Sequence, residues 1–352
     1  MRIHTLASRL ADLPANFWDS RESELLALSR WVETERPDLK ALSKKFPRTQ
    51  RIVWIATSGT LSGAQGTSWI GLSKEALLAN ALSVLRHLKV TPQERWGLAL
   101  PLAHVGGLGI HARAFLQSTT KDHTQLIDEL MPARWDAKAL ARTRVQHLSL
   151  VPTQLFDLAH LNLRAPASLR TLVVGGDRLD PVLLQKAQAL GWPVLLSFGM
   201  SECGSQLATA TPENPALQLL DHAQVKIDTD RRLHLKSPAL FRYHLRLTDT
   251  GLQLTERTEA WWASNDRAEL KGRELTILGR LDQLIKVRGE RVDLTALEAR
   301  LQQLAGTELV LIALPDERDG AQLWAVSEAA LGLEEINRAL LPHQKLKGLK
   351  TI

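Results

Sequence analysis

Between Thr57 and Gly63 the chain reads Thr-Ser-Gly-Thr-Leu-Ser-Gly, with four hydroxyls and two glycines in seven residues directly after a β-branched apolar run. Glycines let a backbone curl its N–H groups around an anion, and hydroxyls add donors, so Thr57, Ser58, Gly59 and Thr60 suit a polyphosphate; the same composition also makes an ordinary turn. The segment lacks the GxxxxGK[ST] order of a Walker loop. A second apolar run ends in Ser197-Phe198-Gly199-Met200-Ser201-Glu202. A carboxylate beside a hydroxyl at a strand end can hold Mg²⁺ and a phosphate oxygen together, because a hard cation takes oxygen ligands and bridges to the nucleotide. Equally, Ser201 reads as a helix cap with Glu202 favoured by the dipole. Gly175-Gly176-Asp177 follows the run LRTLVV, where paired glycines admit a flat ring against the backbone or simply form a turn. Asn265-Asp266 and Gly279-Arg280 offer an acceptor and a donor to ribose hydroxyls, or are solvated loop charges.

These segments need elements to hold them. RIVWIATSG, RWGLALPLAH, VQHLSLVPTQ, SLRTLVVGGD and WPVLLSFGMS each read as a short buried strand running into a loop. SKEALLANALSVLRHL and DPVLLQKAQAL have helical spacing between them, with Ser73 and Asp180 as N-caps, Glu75 in the first turn and Pro181 at the first helical position. The alternation predicts an α/β fold with a mostly parallel, doubly wound sheet, whose ligands sit beyond the carboxyl ends of the strands. After Glu202 the short alternating runs AQVKID, RRLHLKS, LRLTD and GLQLTE predict an antiparallel β-rich subdomain. A small α+β domain should follow, so the expected division is 1–281 and 282–352. KLKGLK near the end reads as a mobile, solvated tail.

Composition narrows the classes. Lys plus Arg total 44 against 38 for Asp plus Glu, a net charge of +6 that mildly favours anionic partners. No basic stripe with interleaved aromatics supports a nucleic-acid partner. Cys203 is the only cysteine, so no intrachain disulfide can form and a Cys-based metal site is disfavoured. The N-terminus has no apolar stretch of signal-peptide length, and nothing approaches the roughly 18 apolar residues of a membrane span. A cytoplasmic protein without integral membrane association is expected, and a homo-oligomer stays open.

Taken in order, the segments resemble the adenylate-forming superfamily of acyl-CoA ligases, luciferases and peptide-synthetase adenylation domains, from about Arg51 to Ile352. TSGTLSG is similar to the family's phosphate loop, LPLAHVGGL to its acyl-site segment, and VPTQL and LRTLVVGGDRL to the approach to its adenine pocket. FGMSECGSQLAT resembles the motif that usually reads YGMTE. Phe198 then falls on the tyrosine, Ser201 on the phosphate-binding threonine and Glu202 on the magnesium glutamate. SND at 264–266 resembles the usual TGD, and LGRLDQLIKVRGERV resembles the crossover motif. The SQLAT tail and the wording around 277–285 look most like the o-succinylbenzoate–CoA ligase family of menaquinone synthesis.

The resemblance implies an ATP-dependent acid–CoA ligase that takes a carboxylic acid, ATP and CoA, with Mg²⁺ as the metal. It implies catalytic roles for Thr57, Ser201 and Glu202, with Glu202 on the metal. Nucleotide contacts fall on Thr57 to Thr60, Gly175, Gly176, Asp177, Phe198, Gly199 and Met200, with Asp266 and Arg280 on the ribose. Lys286 and Gly289 would meet CoA, Asp282 would be a hinge, and His104, Gly106, Gly107, Ser205 and Gln206 would border the acyl pocket. Three departures stand out. Gln65 lies near the place of the phosphate-loop lysine, with Leu61 and Ser62 replacing the usual small pair. Only 56 residues precede that loop, which implies a reduced N-terminal subdomain. The terminal GK motif is not found, which implies slower adenylation.

Overall fold

The computed structural model describes residues 2–5, 10–27, 50–56, 68–119, 122–130, 135–248, 251–281, 284–288 and 290–352. They form two compact units. The first comprises Met1–Gln224, Lys236–Trp261 and Gly272–Leu275, and the second Val225–Leu235, Trp262–Lys271 and Thr276–Ile352.

In the first unit the strands Trp96–Leu98, His147–Leu150, Thr171–Val174 and Val194–Met200 lie side by side, with Ile127–Glu129 beyond Trp96–Leu98, and all of these pairs are parallel. The connecting helices bury one face: Leu155 and Leu158 of Pro152–His160 and Ala187 of Pro181–Ala189 pack with Leu148, Leu172 and Val174. Their ends are where the sequence puts them. Ser73 accepts from the Ala76 N–H at 3.0 Å to start the helix Lys74–His87, and Asp180 accepts from the N–H groups of Val182 and Leu183 with Pro181 at the first position. Such a helix start gives paired acceptors to donors that have no partner within the helix.

One strand belongs elsewhere. Ile52–Ala56, expected in the parallel layer, lies in a separate sheet ordered Arg2–Thr5, Glu24–Ala27, Ile52–Ala56, Ser68–Ser73, Tyr243–Thr248 and Gly251–Glu256. It runs parallel to Glu24–Ala27 but antiparallel to Ser68–Ser73. Tyr243–Thr248 adds to the other side of Ser68–Ser73, also antiparallel. The alternating runs after Glu202 are strands as expected, but they divide: LRLTD and GLQLTE complete this second sheet around Trp54, Trp69 and Tyr243. Next to it, the segment 10–27 is anchored by Phe17 and Trp18, both buried. Trp18 Nε1 donates to His111 Nδ1 at 3.0 Å on the helix Val105–Gln117.

In the second unit Arg232–Lys236 pairs antiparallel with Trp262–Lys271. Leu284–Val287 and Glu290–Asp293 form a hairpin. Asp293 caps the helix Leu294–Ala305, which ends at Gly306 in the left-handed conformation, φ 65°. This helix covers a sheet of Leu309–Asp316, Gly320–Ser327 and Leu346–Thr351. The last of these corrects the solvated-tail expectation. Leu346 and Gly348 are buried, and a Cβ on Gly348 would lie 2.2 Å from the Trp324 ring. Alternation of lysines with Leu346 and Gly348 is a strand pattern, with the lysines on the solvent side. Asp282, the expected hinge, lies outside the described residues. Among the described residues no helix is long and apolar enough to cross a membrane.

Candidate active site

The parallel pairing in the first unit carries four of the singled-out segments to one end of the sheet. Leu98, Leu150, Val174 and Met200 are the last residues of adjacent parallel strands, so the segments 99–107, 151–154, 175–177 and 201–206 leave from the same edge. Gln154 Nε2 donates to the Ala99 carbonyl at 2.8 Å and ties the first two together. Gly175 donates to the Leu150 carbonyl at 3.2 Å, and a Cβ on it would come within 2.9 Å of the Ser197 carbonyl. Gly176 has φ +92°, a conformation that glycine adopts without strain. Asp177 is exposed and accepts from the Arg178 N–H at 2.7 Å.

The strand Val194–Met200 ends in a tight turn. Ser201–Cys203 is a single 3₁₀ turn closed by Gly204 at φ +68°, and Ser205 follows at φ +141°. A residue other than glycine holds such a φ only where its surroundings impose it. Gly199 is one reason the chain can return so closely, since a Cβ there would sit 2.1 Å from the Ser205 carbonyl oxygen. The returning strand Ser205–Thr211 pairs Ser205 with Met200 and Gln206 with Gly199, then slips register before Ala208. Phe198, Met200, Ser201 and Glu202 are half-buried. Ser197 Oγ and Thr209 Oγ1 are 2.9 Å apart, and Thr209 donates to Gln206 Oε1 at 2.7 Å. The Gln206 amide is therefore oriented by a hydroxyl pair behind the turn. Among the described residues no group of three His, Cys, Asp or Glu side chains forms a metal cage. A cation that bridges one carboxylate to nucleotide phosphates needs no cage, and the half-buried Glu202 carboxylate at a strand end fits Mg²⁺ held in that way.

His104 is the N-cap residue of Val105–Gln117, with an exposed side chain that makes no capping bond. Gly107 packs the first turn of this helix onto the preceding loop, where a Cβ would be 2.3 Å from the Pro101 carbonyl; one on Gly106 would be 3.0 Å from Leu100 Cδ1. The same helix carries a group that the motifs do not flag. Arg113 is 1% exposed, its Nε and Nη1 are without a hydrogen-bond partner, and burial pushes its pKa down to about 9. Its guanidinium lies 4.9 Å from the Trp96 ring centroid. A Cβ on Gly109 would be 3.2 Å from Arg113 Nη2 and 3.9 Å from Ser205 Oγ, so both groups converge on Gly109. The available signal was an arginine in a helix, VGGLGIHARAF, whose other residues apart from His111 are glycine or apolar. Lone buried cations are costly, and such groups mark sites of function.

In the second unit Asp266 and Arg280 are neighbours. Asp266 is 7% exposed on Trp262–Lys271, and Arg280 Nη1 at the end of Glu274–Arg280 is 3.6 Å from Asp266 Oδ1. Asp293 backs this pair by accepting from Arg267 Nη1 at 2.6 Å. Lys286 is exposed on the hairpin, where a Cβ on Gly320 would approach its carbonyl to 2.8 Å. Thr57, Ser58, Gly59, Thr60 and Gly289 lie outside the described residues, as do Leu61, Ser62 and Gln65.

The parallel run of strands presents glycine-rich and hydroxyl-bearing loops at its carboxyl edge, which is where α/β folds bind their ligands. Residues 20–234 match the family described as AMP-binding enzyme, and the chain belongs to that family. It is 29% identical over 278 residues to the 2-succinylbenzoate–CoA ligase of Salmonella typhimurium, covering 77% of this chain and 57% of that protein. The solved structure of wild-type E. coli MenE with a bound phenylether-linked analogue of OSB-AMS superimposes with a TM-score of 0.67 at 24% identity, covering 86% of this chain and 66% of that one. The o-succinylbenzoate coenzyme A synthetase (MenE) of Bacillus subtilis in complex with ATP and magnesium ion gives a TM-score of 0.66 at 21% identity, covering 85% and 66%. The chain thus spans little more than half the length of the curated relative, and the two structures show the shared fold.

Proposed function

We propose that this chain acts as an ATP-dependent acid–CoA ligase that converts o-succinylbenzoate to its CoA thioester through an acyl-adenylate, in the cytoplasm and within menaquinone biosynthesis. The observation that carries the reading is the buried guanidinium of Arg113 beside Ser205, next to the Ser201–Glu202 turn. An acid with two carboxylates keeps one charge after the other is activated, and a desolvated, unpaired guanidinium is the complement to that charge. The relatives' names supply the particular acid.

In the first half-reaction a carboxylate oxygen would attack the α-phosphorus while the bond to pyrophosphate breaks. Two anions must meet for this, and Mg²⁺ on Glu202 would lower that repulsion. Ser201 would donate to a phosphate oxygen, Gly175, Gly176, Asp177, Phe198, Gly199 and Met200 would border the base, and Asp266 with Arg280 would hold the ribose. Thr57 to Thr60 would bind the leaving pyrophosphate. His104, Gly106, Gly107, Ser205 and Gln206 would line the acid's pocket. In the second half-reaction the CoA sulfur would attack the acyl carbon and AMP would leave, with Lys286 and Gly289 near the CoA and 282–352 acting as a mobile domain.

The test is incubation with o-succinylbenzoate, MgATP and CoA, read by mass spectrometry for the thioester and AMP. Pyrophosphate release across a panel of carboxylic acids would reassign the acid. Tight ATP binding with no turnover on any acid would replace the ligase reading with a nucleotide-sensing one.

A further inference from the structure

The Ser201–Gln206 turn turns several backbone carbonyls out of the strand ladder, and they are satisfied from distant parts of the first unit. Asn80, 1% exposed on the helix Lys74–His87, donates through Nδ2 to the Cys203 carbonyl at 3.0 Å and to the Gln206 carbonyl at 2.8 Å. Both amide hydrogens are then used. His222 Nε2 lies 3.0 Å from the same Gln206 carbonyl. His222 Nε2 also lies 3.2 Å from Asn80 Nδ2; with both Asn80 amide hydrogens directed at the two carbonyls, the assignment that satisfies every group has Nε2 donating to Gln206 and Nδ1 accepting from Ser237 Oγ at 2.9 Å. Burial pushes the pKa of His222 down, in keeping with this neutral form. The Phe241 N–H holds the Glu202 carbonyl at 2.8 Å. Asn80 also packs under the left-handed glycine: its Cβ would be 3.6 Å from a Cβ on Gly204.

We infer that Asn80, supported by His222, is a positioning residue that fixes the Ser201–Glu202 turn, so that the hydroxyl and carboxylate it carries meet the nucleotide and metal in one geometry. The role rests on the reading of that turn proposed above. Ser205 at φ +141° and the register slip after Gln206 mean that local sequence alone does not hold this backbone. The two carbonyls that Asn80 binds bracket Gly204 and Ser205 within the turn. The helix that carries Asn80 begins directly at the end of Ser68–Ser73, so the turn is referenced to the second sheet as well as to its own strand.

The experiment uses Asn80→Asp, which keeps the shape but presents an oxygen to two carbonyls, and Asn80→Ala. Cys203 is the chain's only cysteine and is buried in the turn, so its labelling by a thiol reagent reports opening of this segment. Loss of buried hydrogen bonds predicts labelling faster by roughly 10- to 100-fold, with the global unfolding midpoint above the assay temperature. Single-turnover adenylation should fall by a similar factor, with ATP affinity within about threefold of wild type, because misplacement acts mainly in the transition state. Should both Asn80 variants fail to fold, the pair His222→Gln, which keeps a donor for Gln206, and His222→Leu, which removes it, carries the test: protection and rate are retained in the first and lost in the second. Unchanged labelling overturns the clamp and leaves the ligase reading intact. Faster labelling with an unchanged adenylation rate, or with rate and ATP affinity falling together, overturns the positioning role. A wild-type chain that adenylates no acid fails the ligase reading, and the positioning role falls with it.

Discussion

Arg280 Nη1 stands 3.6 Å from Asp266 Oδ1, an ion pair between the end of one strand and the middle of another in the second unit. At that separation the contact is electrostatic rather than a short direct hydrogen bond. Asp266 is 7% exposed and Arg280 is exposed, which is the arrangement for a carboxylate aimed by its partner. Under the proposed ribose role, Asp266→Ala weakens ATP binding by about 1–3 kcal/mol, the scale for leaving a polar partner unpaired. Calorimetry on Asp266→Ala, Arg280→Ala and the double variant checks this. The double loss should be less than the sum of the singles, since the two act as one unit.

Glu202→Gln should behave differently. A metal ligand at the reacting phosphates acts where charge develops, so adenylation falls by about 10²–10³ while ATP affinity changes little. Pyrophosphate release compared with equilibrium ATP binding tests this. Equal losses in both would move the metal site away from Glu202.

Arg113→Met should separate stability from binding. Removing an unpaired, fully buried cation relieves desolvation, so the unfolding free energy should hold or rise by about 1–3 kcal/mol. The apparent KM for o-succinylbenzoate should rise by at least about tenfold, with ATP affinity retained. Denaturant melts and saturation kinetics with a monocarboxylic analogue beside the diacid make the comparison. An unchanged diacid preference would remove Arg113 from the acyl site.

The buried histidine pair sets a pH dependence. His111 accepts from Trp18 at Nδ1, so its Nε2–H faces His123 Nε2 at 2.9 Å. Burial, then the neighbouring His123, pushes the His111 pKa down to about 3. The unfolded chain therefore binds more protons between about pH 6.5 and pH 3, so stability rises with pH through that window and is lost as pH falls. The contribution reaches about 1.4 kcal/mol per pH unit for one proton. Chemical denaturation at pH 7.5, 6 and 5 should show this slope, and His111→Gln, which retains an acceptor for Trp18, should flatten it by about one proton.

Much of the fold was legible because its signals are local. Ser73 and Asp180 cap helices as their sequence positions imply, through bonds reaching only two or three residues along the chain. Gly199, which the sequence offered only as a nucleotide contact through resemblance, proves to permit a close backbone approach to the Ser205 carbonyl. The SFGMSE motif advertises its own strand end. Strand partners are a different matter. Ile52–Ala56 has the same apolar wording as the strands of the parallel layer, and it is assigned to the other sheet by its pairing with Glu24–Ala27 and Ser68–Ser73, extended by the distant Tyr243–Thr248. The KLKGLK segment became a strand through Leu346 and Gly348 packing under Trp324 and its neighbours. Asn80 carries no sequence signal, being an ordinary helix residue until the turn at Cys203–Gln206 arrives beside it; Arg113 shows only as a cation in an apolar helix, and it is packing that strips away its water. Residue types and short spacings determine which elements form and which chemistry they carry. Which elements meet, and therefore which groups are desolvated or held in register, depends on contacts between residues far apart in the chain, whose energies exist only in the folded structure.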